Sequence, residues 1–174
     1  MTKLSIITAP DPRLKVVSEP VAQVDAGIQR LMDDMLETMY AAPGIGLAAV
    51  QVGVPKRVVI VDTGEQGEQD KPLFLINPEV LFTSDETWID EEGCLSLPDQ
   101  YADVRRPVVV KLKFLDYTGV PQEMEARGLL ATCIQHELDH LEGILFVDHI
   151  SMLRRGIILK KLRKIQRESA AAER

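Results

Sequence analysis

From Ile28 onward the apolar residues fall into a helical period. Ile28, Leu31, Met32, Met35, Leu36 and Met39 recur at i, i+3, i+4 and i+7, which is one face of a helix. Asp25 stands where a side chain can cap the first turn, and Pro43-Gly44 ends the pattern. Gly44 to Gly53 (GIGLAAVQVG) is rich in small residues and has no clean period. Arg57 to Asp62 (RVVIVD) and Pro72 to Val80 (PLFLINPEV) are rich in β-branched residues and read as strands. Thr63 to Lys71 (TGEQGEQDK), polar and glycine-containing, predicts a surface loop between them. From Val104 to Gly119, Val108, Val110, Leu112 and Phe114 alternate with Val109, Lys111 and Lys113. That predicts one long strand and a Tyr-Thr-Gly turn.

Helical spacing returns over Gly128 to Glu142, where Leu130, Ile134, Leu138 and Leu141 form a stripe and Gly143 suits the residue after the helix end. A further helix is predicted from about Ser151, its candidate cap, to Arg167, weakened locally by Gly156. One helix, several strands, then two helices predict the α+β class. The expected architecture is mixed or antiparallel sheets packed around a central helix, with N-terminal and C-terminal helices beside it. Residues 1–168 are expected to form a single domain, and 169–174 a frayed tail.

Composition narrows this picture. With 174 residues, 45% of them hydrophobic, the chain has enough apolar volume for one compact core. No run approaches eighteen apolar residues, so no membrane partner is expected. The N-terminus, MTKLSIITAPDPRLK, lacks an apolar targeting core, and a cytoplasmic location is expected. Two cysteines, Cys94 and Cys133, in a reducing compartment point to metal or catalysis before a disulfide. The net charge of −7 is uneven: Ser151 to Arg174 holds eight basic and two acidic residues (+6), leaving 12 basic and 25 acidic (−13) elsewhere. A basic tail on an acidic body is a mild sign of a polyanionic neighbour, though a solvated helix face reads the same way.

The chemistry concentrates in TCIQHELDH, Thr132 to His140. Of the three histidines in the chain, two lie here, four residues apart. On a helix His136 and His140 are about 40° apart around the axis and one turn apart along it, so both imidazoles can reach one ion. Glu137 falls on the flank, poorly aimed as a third ligand but well placed to touch a water on that ion. H-E-x-x-H on a helix is thus a metal site with a built-in general base.

The third ligand decides the class. An extended zinc-protease motif would place it at Phe146, which cannot ligate, and His149 comes three residues too late. Cys133 lies seven residues from His140, roughly 10 Å along the axis, too far to share an ion that each ligand must approach within about 2.3 Å. The helix after HELDH offers only Glu168 and Glu173, on a mostly basic element. Cys94 remains, in EEGCLSLP, which reads as irregular chain between Gly93 and Pro98. One thiolate and two imidazoles leave a fourth position open for water, the catalytic pattern.

Three segments, GIGLAAVQ (Gly44 to Gln51), EGCLS (Glu92 to Ser96) and QHELDH (Gln135 to His140), together resemble peptide deformylase, of the bacterial type with a helical C-terminus. PDPRL (Pro10 to Leu14) and VRRP (Val104 to Pro107) are also similar to that family. The resemblance runs from about residue 4 to about 165. It implies an enzyme that hydrolyses the N-formyl group from the initiator methionine of new polypeptides and releases formate. It also implies Cys94, His136 and His140 as metal ligands and Glu137 as acid/base. Gln51 and the Leu95 backbone N–H would be donors to the reacting carbonyl oxygen. The metal it implies is ferrous iron, with zinc, nickel or cobalt able to occupy the site, whereas ligand chemistry alone reads as zinc.

Gly44, Ile45 and Gly46 allow a close approach by an extended peptide. Ile45, Leu129 and Cys133 are candidates to line a methionine pocket, although core packing explains Leu129 equally well. Nascent formyl-methionine chains are the expected partners, with weak ribosome contact through the C-terminal helix and no DNA. Where some family members have arginine after Gln100, this chain has Tyr101. The competing readings are an HExxH zinc metallopeptidase and a structural metal site in a binding module.

Overall fold

The computed structural model describes residues 1–64 and 71–174. Most of the loop expected at Thr63 to Lys71 lies outside these residues.

Helix α1 (Ala26–Ala41) begins where the apolar period does, with the Asp25 carboxylate accepting from the Ile28 N–H. Strands β1 (Gly46–Ala48), β2 (Val58–Val61), β3 (Leu73–Thr83), β6 (Val109–Leu115) and β7 (Pro121–Arg127) make an antiparallel sheet in the order β1-β2-β3-β6-β7. β4 (Thr87–Cys94) and β5 (Leu97–Pro107) form a separate antiparallel hairpin. Helix α2 (Gly128–Leu141) follows β7 directly, and α3 (Met152–Ala172) closes the chain.

The five-stranded sheet is covered on both faces. Every residue of β2 is buried because alternate side chains serve different layers: Val58 and Ile60 pack with Met32, Met35 and Met39 of α1, whereas Val59 and Val61 pack with Ala131, Ile134 and Leu141 of α2. Full burial of each such side chain contributes about 1.5–3 kcal/mol. A third cluster joins the hairpin (Leu97, Ala102, Val104) to the N-terminal segment (Ile7, Ala9, Leu14) and to Ile158 and Leu162 of α3. Helix α2 is therefore central, with its last turn closed by Gly143 N–H donating to the His140 carbonyl and by Glu142 and Ile144 N–H donating to that of Asp139. Gly143 has φ +71°, and a Cβ there would lie 2.5 Å from the Lys15 carbonyl oxygen.

Several elements differ from expectation. The stretch from Val104 to Gly119 is two strands, because the chain crosses from hairpin to sheet at Val108, whose N–H turns to the Glu86 carbonyl. The EEGCLSLP stretch is not irregular: Cys94 ends β4, Leu95 and Ser96 form a two-residue turn, and Leu97 opens β5. β4 and β7 were hidden by polar sequence, since β4 exposes half of its residues and β7 most. The C-terminal helix continues through Ala172, five residues past the expected end, as the helix-forming Ala170 to Ala172 allow. Its buried contacts are Ile158 and Leu162, while Ile165 is exposed.

Candidate metal centre and active site

α2 presents His136, Glu137 and His140 on a buried face, at 8%, 4% and 1% exposure. The hairpin brings Cys94 to the same point. One ligand atom from each of Cys94, His136 and His140 lies within 4.8 Å of the others, and the Cys94 Sγ is 3.3 Å from the His140 Nε2. Tetrahedral coordination at ordinary bond lengths separates such ligands by about 3.3–3.6 Å. The set fits a divalent cation with one open position. Cys133 is outside the cluster, as its distance along the helix required.

Three ties hold hairpin and helix in register. Trp88 Nε1 donates to Thr132 Oγ1 at 2.9 Å. The Glu92 carboxylate is 3.0 Å from His136 Nδ1, which leaves the other ring nitrogen for a metal. Arg106, 5% exposed, grips both Glu92 oxygens (Nε 2.5 Å, Nη2 3.0 Å) and reaches Asp139 Oδ2 at 2.9 Å. The same Asp139 oxygen is 2.7 Å from His149 Nε2, so the third histidine belongs to this network and is no ligand. Phe146 lies flat beside His136, ring centroids 6.2 Å apart. It occupies the place where the extended protease motif would need a histidine.

Electrostatics follow from burial and partners. Burial raises the Glu92 carboxyl, but His136 and Arg106 outweigh it and hold it at about 2. Burial pushes Glu137 up to about 7, His136 opposing and Glu92 adding to the rise. Burial would lower His136, yet Cys94 and Glu92 carry it well above its ordinary value. Burial, with His136 next to it, lowers His140. A cation at the three ligand atoms would take the ring nitrogen of His136 that does not face Glu92, and would draw the Glu137 carboxyl down again. Glu137 Oε2 and His140 Nδ1 are buried with no hydrogen-bond partner among the described residues.

Gln51 lies in the helical turn after β1, 1% exposed. Its Oε1 accepts from the Ala48 N–H at 2.8 Å, and its Nε2 is 3.0 Å from Ser96 Oγ and 3.6 Å from Cys94 Sγ. Above these groups opens a groove of about 540 Å³, lined in part by Gly44, Ile45, Gly46, Leu129 and Cys133, so the expected substrate residues share one surface. The glycines also have packing reasons. A Cβ on Gly44 would lie 2.6 Å from Leu95 Cδ1, and one on Gly93 2.6 Å from the Tyr101 ring that covers it.

The supporting residues Glu92, Arg106, Asp139 and Ser96 went unread in the sequence. Glu92 and Cys94 are two apart, hence on one strand face, but that signal needs the strand to be seen first.

Comparison with known proteins agrees with the resemblance. The polypeptide deformylase family pattern matches residues 3–156. The chain is 57% identical to a peptide deformylase of Phenylobacterium zucineum over 159 residues (91% of this chain, 94% of that one). It is 52% identical to one of Rhizobium meliloti, covering 98% of each. The crystal structure of peptide deformylase from Ehrlichia chaffeensis in complex with actinonin superposes with a TM-score of 0.91 at 43% identity, covering 96% of this chain and 99% of that one. With its Cys-His-His cluster, its antiparallel sheets around the HExxH helix and its full-length relatives in agreement, the chain belongs to the polypeptide deformylase family of enzymes.

Proposed function

We propose that this protein hydrolyses the N-formyl group from the formyl-methionine that begins newly made polypeptides, releasing formate. The observation that carries the reading is Glu137, buried and with one oxygen unpartnered among the described residues, beside three ligand atoms within 4.8 Å of one another. In this reading Cys94, His136 and His140 hold one divalent ion, ferrous iron in the cell, with zinc, nickel or cobalt as possible occupants. When bound, the ion supplies Lewis acidity and brings the pKa of a coordinated water toward neutrality.

The protein's own groups do the rest. Glu137 takes the proton of the attacking water and returns it to the amine nitrogen as the C–N bond breaks. The Leu95 N–H and the Gln51 amide receive the formyl oxygen as it gains charge. β1 is the edge strand of its sheet, and Gly44 to Gly46 border the groove, which supports a peptide bound alongside as an added strand. Ile45, Leu129 and Cys133 receive the methionine side chain. The exposed Lys160, Lys161 and Lys164 of α3 support a weak, salt-sensitive ribosome contact, and such a substrate places the enzyme in the cytoplasm.

The test is formate release from formyl-Met-Ala-Ser by anaerobically purified protein, wild type beside Cys94→Ala, with metal content measured on the same samples. Formate from wild type and loss of both metal and turnover in the variant are expected. A fully metallated wild type that releases no formate would overturn the reading.

A further inference from the structure

Gln51 has an unusually determined side chain. The Ala48 N–H can only donate, so the atom it meets at 2.8 Å must be the amide oxygen. The NH₂ group then faces the hairpin turn. One of its hydrogens goes to Ser96 Oγ at 3.0 Å, and the nitrogen lies 3.6 Å from Cys94 Sγ. Two anchors on opposite ends of the amide fix its plane, which leaves the second N–H no freedom to swing.

Ser96 is built to serve as such an anchor. It is 0% exposed and follows Leu95 in the turn between β4 and β5. Its carbonyl accepts from the Ala9 N–H at 2.8 Å, while the Gln51 carbonyl accepts from the Ile7 N–H at 2.7 Å. One short N-terminal stretch thus stitches both backbones together, although Gln51 and Ser96 are 45 positions apart in sequence and follow strands, β1 and β4, of separate sheets.

We infer that Ser96 is a positioning residue: its hydroxyl holds the Gln51 amide so that the second N–H, on the Cys94 side, borders the place where the formyl oxygen gains charge. The inference rests on the deformylase reading above. A hydrogen bond that merely stabilised the fold would affect stability and leave the chemical step alone. An alignment role predicts the reverse. Loss of one anchor should cost between about tenfold and the 10²–10³ that removing an oxyanion donor altogether costs.

The experiment is a double-mutant cycle of wild type, Ser96→Ala, Gln51→Ala and the pair, on metallated protein with formyl-Met-Ala-Ser. Metal content, melting temperature and the visible spectrum of the cobalt-loaded form are read alongside. Ser96→Ala should lower kcat at least tenfold with KM, metal content and cobalt spectrum unchanged, and the double variant should be no slower than Gln51→Ala alone. If Ser96→Ala does not fold, Ser96→Gly removes the same hydroxyl without adding an atom. Unchanged kcat, multiplicative effects in the double variant, or an altered cobalt spectrum (a role through Cys94) would each overturn the inference. An inactive wild type would overturn the deformylase reading and this inference with it; an active wild type confines any failure to Ser96.

Discussion

The main chain of Gly46 lies against the carboxylate of Glu137: a Cβ on Gly46 would sit 2.5 Å from Glu137 Oε1 and 2.9 Å from Cys133 Sγ. The absence of a side chain at Gly46 is what gives the Glu137 carboxylate its place on α2. Gly46→Ala must push the carboxylate aside, since α2 is packed against the sheet and cannot retreat. The expected result is a fall in kcat of about 10² or more, the scale of general acid–base catalysis, with metal content retained. Activity and metal analysis on one preparation check this. A fully active alanine variant would show that Glu137 tolerates displacement.

Arg106 should matter for both stability and metal. It neutralises buried Glu92 and reaches Asp139, and Glu92 orients His136. Replacing Arg106 with Met strands the Glu92 charge in a site 5% exposed, a loss of about 3–5 kcal/mol. Weaker His136 orientation should lower metal affinity by about 10–100-fold. Lysine should not restore either, because the two-pronged grip on Glu92 needs a guanidinium. Thermal melts and metal titration of the two variants would settle both points.

Asp148 offers a pH-dependent test away from the metal. Burial raises its carboxyl, but the Leu145 N–H, Lys15 and Arg155 outweigh burial and hold it below the ordinary range. The folded-state pKa is thus lower than the unfolded one. Its stabilisation is complete above the unfolded value, about 3.9, and is lost as pH falls through the folded value. Asp148→Asn should melt lower than wild type near neutral pH, and the two should converge as pH falls through the folded-state value. A constant gap across that range would show that packing, not charge, links Asp148 to the N-terminal segment and α3.

Peptide charge should also be read. Asp90, Glu91 and Asp99 line the groove, and Tyr101 stands where some family members carry an arginine. Formyl-methionyl peptides with lysine at the second or third position should show lower KM than those with glutamate. The difference should shrink as salt screens the field over about 10 Å at 0.1 M. Equal KM values at low ionic strength would refute it.

What the sequence revealed depended on how local each signal was. α1, α2 and their caps were legible because Asp25 and Gly143 act within a few residues of the turns they finish. The histidines of HExxH were legible as a pair because helical geometry alone brings His136 and His140 together. Cys94 was reached by elimination, without its strand being seen. β4 is polar because much of the hairpin faces solvent, so no apolar alternation marked it. The Glu92–Arg106–Asp139–His149 chain joins residues from a strand, its partner strand, a helix and a following turn, and no window of sequence contains it. Val108 looked like strand interior because its alternation continues on both sides of the crossing between sheets.

β1 is three residues long and forms one end of its sheet. A longer open edge would invite other chains to pair with it indiscriminately. Three residues span only about 10 Å, enough to grasp the beginning of a polypeptide and nothing beyond. An enzyme that must accept every new chain, whatever it later folds into, gains generality from that brevity. In the proposed binding mode the first few residues would be held largely through main-chain contacts, and the rest of the client would stay outside.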